Sequence, residues 1–197
     1  MGRGVRLAAA ALVVAALAAT IALLPGIVES KQDRAASEQR ERAELRAERI
    51  RELEAEQRPR FRRYDSVPPA HAGADERLAA RAALMDELSA SVLADSRRRV
   101  RRGELDGPIE RVECQSFPRT VKGVGADKDL SRSIGRYSCV AVTAAFGRGE
   151  NSVGGLIGHQ YRVRVDFESG RYAYCKISGQ AGPSREQLVT TPRACGG

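Results

Sequence analysis

An uninterrupted apolar run near the N-terminus constrains this chain more than any other feature. Leu7 to Val28 provide 22 consecutive positions without a charged side chain. Because about 20 apolar helical residues cross a hydrocarbon core of about 30 Å, the run predicts a transmembrane helix over 7–28, with residues 1–6 as a cytoplasmic tail. A cleaved signal peptide is the alternative, since Ala16-Leu17-Ala18 offers a small-x-small site. The run, however, extends well past the roughly 7–15 residues that such a peptide needs.

Four cysteines decide on which side of the membrane the rest of the chain lies. Basic residues flank both ends of the apolar run, so the positive-inside rule gives no clear orientation. The cysteines form no C-x-x-C pair and have no histidine within four positions, which argues against a zinc site. Their even number predicts two disulfides and an extracytoplasmic domain, against the alternative of four buried thiols in the cytosol. Of the three pairings, we favour Cys114–Cys139 with Cys175–Cys195.

Residues 29–58 are predicted to form a charged helical stalk. They are almost entirely good helix formers, and opposite charges recur at helical spacing, as in Glu38 with Arg42. Apolar residues are too sparse at the heptad positions for a sustained coiled coil. Ile50 and Leu53 could nevertheless support weak homodimerisation through the stalk.

The next segment, 59–73, is predicted to be a linker. It begins at a proline that ends the stalk helix, and it contains Pro68-Pro69 and few apolar groups. It also holds a basic-aromatic cluster that could contact lipid headgroups, although such runs are more often solvated: Arg60, Phe61, Arg62, Arg63 and Tyr64.

Residues 74–102 carry the pattern of a second, longer helix. Acidic residues occupy its first turn and Gly103 follows its end. Leu78, Met85 and Val92 repeat on one face, with Ala82, Leu88 and Ser89 beside them. This is the apolar stripe of a helix that packs against another element.

The last turns of this helix hold five arginines in six positions. Cations are favoured at a helix C-terminus by the helix dipole, so a purely structural explanation exists. The net charge of +8 also fits an anionic partner. Outside the cytoplasm that partner would be a phospholipid headgroup or an anionic cell-wall polymer, contacted by Arg97, Arg98, Arg99, Arg101 and Arg102.

After Pro108 the pattern changes from helical to alternating. The clearest strand is 159–167, and a short turn ending in Gly170 returns the chain into a second strand of a hairpin. Two further strands are predicted over 109–117 and 136–143. The Gly-rich segment 147–158 lacks the Lys-Ser/Thr ending of a phosphate-binding loop. We therefore predict an α+β domain over 74–197, with one long helix packed on an antiparallel sheet of about four strands.

Three short motifs carry a resemblance to known proteins. Val112-Glu113-Cys114, Gly135-Arg136-Tyr137-Ser138-Cys139 and Tyr161-Arg162-Val163-Arg164-Val165-Asp166 resemble a pattern in small cell-envelope domains of actinobacteria, over roughly residues 110–177. Those domains sit behind a signal or membrane helix, and their functions are largely unknown. The long helix with a curved sheet also resembles a cystatin-like fold. The resemblance implies no catalytic residues.

These observations predict a membrane-anchored, extracytoplasmic, non-enzymatic binding module of the cell envelope. The alternatives are an accessory subunit of a membrane complex, for example in division or transport, and a protein secreted after signal cleavage. We expect no cofactor or metal. A nucleic-acid partner is expected only if the disulfides are absent and the domain is cytosolic.

An enzyme would have to use His159 with Asp166 or Glu168. His159 and Asp166 lie on opposite faces of one predicted strand, on the order of 20 Å apart. The sequence places no serine or cysteine nucleophile near them. We therefore predict that the chain is not an enzyme.

Overall fold

The structure is a computed structural model that describes residue 31 and residues 33–69, 71–118, 124–146, 155–178 and 188–197. The predicted tail and transmembrane segment lie outside these residues. Within them, no helix is both long and apolar enough to cross a membrane. The chain divides into two units, Met1–Arg49 and Ile50–Gly197, and each is described by itself.

Helix α1 covers residues 33–56 and contributes to both units. In the first unit its residues are exposed, Leu45 among them at 60%. Arg42 and Glu38 form an ion pair at 3.5 Å, one turn apart. This composition and exposure are those of a helix that draws its stability from intrinsic propensity and surface pairs.

The second unit is an α+β domain with a five-stranded antiparallel sheet. Its sheet order is β1-β5-β4-β3-β2. Helix α2 and a short 3-10 turn complete the domain. The elements, in chain order, are β1 (Arg60–Arg63), α2 (Ala74–Arg101), β2 (Arg111–Ser116), β3 (Ile134–Phe146), β4 (Gly155–Asp166), β5 (Arg171–Lys176) and the 3-10 turn (Arg193–Cys195).

The α+β class is confirmed, but the sheet has one strand more than we predicted. Strand β1 lies inside the segment 59–73 that we predicted to be a linker, and it pairs antiparallel with β5. The Tyr64 amide continues this pairing by donating to the Gly170 carbonyl at 2.9 Å. A strand of four residues is too short for alternation to be visible in sequence, so the backbone pairing alone defines it.

Helix α2 packs its buried stripe on one face of the sheet. Leu84, Leu88 and Val92, spaced four residues apart, are 0–2% exposed. They meet the inward side of β4, where Tyr161 and Val163 are fully buried. Leaving water stabilises each such aliphatic side chain by about 1.5–3 kcal/mol. The predicted stripe was right at Leu88 and Val92, whereas Leu78 and Met85 are only half-buried.

Two disulfides fasten the domain, in the pairing that the sequence analysis favoured. Cys114 and Cys139 face each other across β2 and β3. Cys175 on β5 binds Cys195, which holds the C-terminal turn against the face of the sheet opposite α2. Two disulfides indicate an oxidising, extracytoplasmic environment.

The last turn of α1 belongs to the domain rather than to a solvated stalk. Leu53 is 1% exposed and Gln57 is 2% exposed. The Gln57 side-chain amide donates to the Ser178 carbonyl at 2.7 Å. Because Leu53 is buried within its own chain, it is not available to the weak stalk homodimer that Ile50 and Leu53 could support; that homodimer stays a prediction.

Candidate functional site

Most arginines of the predicted cluster already have hydrogen-bond or ion-pair partners within the domain. Arg97 donates to two backbone carbonyl oxygens just before β2, each at 3.2 Å. Arg102 forms an ion pair with Glu104 at 2.8 Å. Only the side chain of Arg101, among the cluster and within the described residues, has neither an ion pair nor a hydrogen bond.

The other two arginines of the cluster converge on a buried carboxylate. Asp95 has a fully buried side chain, and it accepts from Arg98 at 2.6 Å and from Arg99 at 2.8 Å. Burial alone would raise the pKa of Asp95, but hydrogen bonds from the two guanidinium groups outweigh it and lower that pKa below 3.8. Arg99 is itself 4% exposed and also donates to the Glu56 carbonyl at 3.0 Å. These arginines therefore hold the domain together.

The residues of the enzyme alternative are not brought together. The His159 ring nitrogen Nε2 lies 2.9 Å from the carbonyl oxygen of Asp106. Asp166, seven residues along β4, accepts from the amides of Glu168 and Ser169 at 3.0 and 3.2 Å, which caps the β4–β5 turn. The described part of the chain contains no group of three metal-ligating side chains.

A serine, a lysine and a glutamate meet where α1 ends beside β5. Lys176 Nζ lies 2.7 Å from both Glu56 Oε2 and Ser178 Oγ, and Ser178 Oγ donates to Glu56 Oε2 at 2.5 Å. Some hydrolases pair a serine with a lysine base. Here the Glu56 carboxylate pairs with Lys176 and also accepts a hydrogen bond from the Ser178 hydroxyl. The cluster therefore joins the end of α1 to β5 through hydrogen bonds and an ion pair.

The structure assembles a second group of arginines, on the sheet face opposite α2. We call it the arginine face: Arg63, Arg136, Arg164 and Arg171. In the strand register, Arg63 lies directly opposite Arg171, and Arg136 lies directly opposite Arg164. All four are exposed, and they come from the four adjacent strands β1, β5, β4 and β3. Like charges placed directly opposite each other destabilise a sheet.

Little negative charge offsets the arginine face. The guanidinium groups of Arg136, Arg164 and Arg171 form no ion pair within the described residues. Arg63 lies 3.6 Å from Asp65, whose side chain is 90% exposed, so this pair is worth little. Burial would raise the pKa of Asp166, but hydrogen bonds from the β4–β5 turn and, more weakly, the charge of Arg164 lower it. Asp166 therefore stays ionised at neutral pH, and it lines the same groove as the arginines. Four arginines against the two carboxylates of Asp65 and Asp166 leave the face with a net positive charge.

A neighbouring arginine on the same face is used differently. Arg162 stacks its guanidinium over the ring of Phe117, 3.5 Å from the ring centroid. Burial lowers its pKa. Because the Phe117 ring covers the guanidinium group, Arg162 is less accessible to a ligand than the four exposed arginines.

Three members of the arginine face line an open groove with an apolar floor. The groove has a volume of about 640 Å³, and Arg63, Arg164 and Arg171 border it. Ala173 and Ala194 contribute apolar lining, the latter from the C-terminal turn that the Cys175–Cys195 disulfide holds in place. At its edge the ring of Phe61 is 66% exposed. An anionic ligand with an apolar face would find both charge and packing surface here.

Sequence reasoning missed this face because its members are far apart in the chain. The one visible signal was the polar side of the clearest strand, where arginines alternate with core residues. The basic-aromatic cluster of 60–64 contributes Phe61 and Arg63, but the pairing of β1 with β5 was needed to place them beside Arg171.

No protein-family model, curated protein or solved structure matches this chain. The resemblance to small actinobacterial envelope domains and to a cystatin-like fold therefore stays a prediction.

Proposed function

We propose that this chain is a membrane-anchored, extracytoplasmic, non-enzymatic module of the cell envelope that binds an anionic ligand on the arginine face. The observation that carries the proposal is the two opposed arginine pairs across four strands, in which only Arg63 has an ion-pair partner among the described residues. The two disulfides support an oxidising compartment. The apolar run over 7–28 supports the anchor.

Electrostatics favour a ligand at this position. The Cβ atoms of directly opposed residues in antiparallel strands are about 5 Å apart. Two unit charges at that spacing repel by about 0.8 kcal/mol even in the dielectric of water. An anion between the guanidinium groups offsets this repulsion and accepts charge-assisted hydrogen bonds from them, each worth about 1.5–3 kcal/mol. The planar guanidinium suits carboxylate and phosphate oxygens, which it can bind with two parallel donors.

The end of α2 is a less favourable place for an anionic ligand than the arginine face. Asp95 and Glu104 already neutralise Arg98, Arg99 and Arg102 there. A ligand would have to displace these internal partners before it gained any contact. On the arginine face the carboxylates compete less: Asp65 is 90% exposed and lies 3.6 Å from Arg63, and Asp166 accepts from the amides of the β4–β5 turn.

Binding of long-chain polyphosphate to the full chain in detergent micelles tests the proposal. We expect Arg164→Glu to weaken binding at least about tenfold, because it removes one charge-assisted contact and adds a repulsive charge. Arg101→Glu is the matched control, since it makes the same charge change at an exposed arginine outside the groove. Equal losses in both variants would show a nonspecific charge effect and refute the assignment of the site.

A reporter that is active only outside the cytoplasm, fused after Gly197, tests the location independently. We expect activity, because the disulfides require an oxidising compartment. An inactive reporter on a stably expressed fusion would refute the topology.

A further inference from the structure

We propose that the ligand of the arginine face is an anionic polysaccharide chain that lies across the strands. This inference rests on the proposed function and specifies its ligand. Its basis is the spacing of the four arginines, the concave shape of the groove and the exposed ring at the groove's edge.

The four arginines are spaced so that a chain with repeating anionic groups can contact them together. They occupy one position on each of four adjacent strands, and neighbouring strands are about 4.8 Å apart. Their backbone positions therefore extend about 14 Å across the sheet, which is three strand spacings. A single phosphate or carboxylate can meet only one pair of these side chains. A chain that repeats an anionic group can meet both Arg63–Arg171 and Arg136–Arg164.

The surface that carries the arginines is a groove. The sheet forms the floor, and the C-terminal turn borders it, where Ala194 lines the groove and Gly196 comes close to the side chain of Arg136. A groove of about 640 Å³ with such a border accepts an extended chain better than a flat bilayer surface. A membrane-inserting surface would also expose several apolar side chains, whereas Phe61 is the one large exposed hydrophobic side chain among the described residues that line the groove.

An exposed aromatic ring lies at the edge of the groove. Phe61 lies on the same sheet face as Arg63 and opposite Ala173 in the register. A polyphosphate has no apolar surface to place on this ring. A sugar ring has one, formed by its C–H groups, so alternating sugar rings and carboxylates would use the aromatic side chain and the arginines together.

The test compares probes of defined chemistry on the full chain in detergent. Polygalacturonate is expected to bind at least about a hundredfold more tightly per chain than galacturonic acid, because linked groups bind at high effective concentration. Neutral dextran should not bind. Polygalacturonate that binds no better than the monomer would overturn the inference, and so would stronger binding to phosphatidylglycerol vesicles than to any dissolved probe.

Two substitutions separate the ring from the charges. Phe61→Ala should weaken polygalacturonate binding several-fold more than it weakens binding of long-chain polyphosphate. Arg136→Gln should weaken both and make both less sensitive to salt, because one fewer cation contacts the polymer. Circular dichroism and the melting temperature verify that each variant is folded.

The outcomes distinguish this inference from the proposed function. If polyphosphate binds in an Arg164-dependent manner but polygalacturonate does not bind, the anion site stands and the polysaccharide assignment fails. If no anionic probe binds to the folded wild-type chain, both fail. An effect of Phe61→Ala on polyphosphate as large as on polygalacturonate would also refute the role of the ring.

Discussion

The buried carboxylate of Asp95 offers the sharpest test of how this domain is held together. Asp95→Asn preserves the size of the side chain but removes the charge that Arg98 and Arg99 face at 2.6 and 2.8 Å. Arg98 is 44% exposed and can be resolvated, whereas Arg99 is 4% exposed and cannot. The substitution therefore leaves one buried cation without its main partner.

Removing one member of a buried ion pair typically costs about 3–5 kcal/mol. Here we expect about 3 kcal/mol, the lower end, because Arg99 keeps a hydrogen bond to the Glu56 carbonyl at 3.0 Å and a distant contact with Glu104 at 3.5 Å. A domain of this size is stable by about 5–15 kcal/mol, so the variant should fold with a clearly lower stability. Urea denaturation at neutral pH, followed by far-UV circular dichroism, measures the difference.

The double variant Asp95→Asn/Arg99→Met is the control for the physical reason. It removes the stranded cation together with its partner, so it should be more stable than Asp95→Asn alone. If the double variant loses as much stability as the two single variants added together, the buried-charge argument is wrong and simple packing would explain the loss.

The pH dependence of stability gives a second readout of the same carboxylate. The pKa of Asp95 is lower in the folded chain than its ordinary value of 3.8. The group therefore contributes stability above pH 3.8, and this contribution is lost as the pH falls through the lower, folded-state pKa. Asp95→Asn should show a flatter stability profile than the wild type in this acidic range. Parallel profiles would refute the assignment.

Two further predictions concern the groove and its edge. Gly170→Ala should destabilise the docking of β1 by more than about 1 kcal/mol, because Gly170 has φ +67° and a Cβ there would meet the Tyr64 carbonyl oxygen; faster amide exchange at β1 measures this, and unchanged exchange would contradict it. Replacing Cys175 and Cys195 by alanine should cost about 3 kcal/mol by the chain-entropy model for the 20-residue separation, measured by urea denaturation, and should weaken polyphosphate binding because the C-terminal turn borders the groove.

The fold was predictable from sequence to the extent that its patterns were long. Helix α2 runs from Ala74 to Arg101 against a predicted 74–102, and β4 and β5 form the predicted hairpin. Strand β1 was missed because four exposed residues carry no periodic pattern. The phase of the α2 stripe was also misjudged, since the helix buries Arg81 and Asp95 beside Leu84 and Leu88. Hydrophobicity alone would have placed both charged residues in solvent.

The two arginine groups show the same limit at the level of function. The group at the end of α2 is conspicuous in sequence, yet Asp95, Glu104 and backbone carbonyl oxygens occupy four of its five members. The arginine face is dispersed over more than 100 residues of sequence, and strand pairing brings it together. Charge density along a chain therefore does not show which arginines already have partners, because pairing in space decides which charges are free.

The sequence by itself determined the long helix, the hairpin and the number of disulfides that the structure confirms, since side-chain periodicity and cysteine count are local or compositional signals. It also supplies the prediction of a membrane span over 7–28. Only the tertiary structure decided which arginines are neutralised and which remain exposed. The physical reason is that an ion pair depends on distances across the fold, and no pattern along the chain contains those distances.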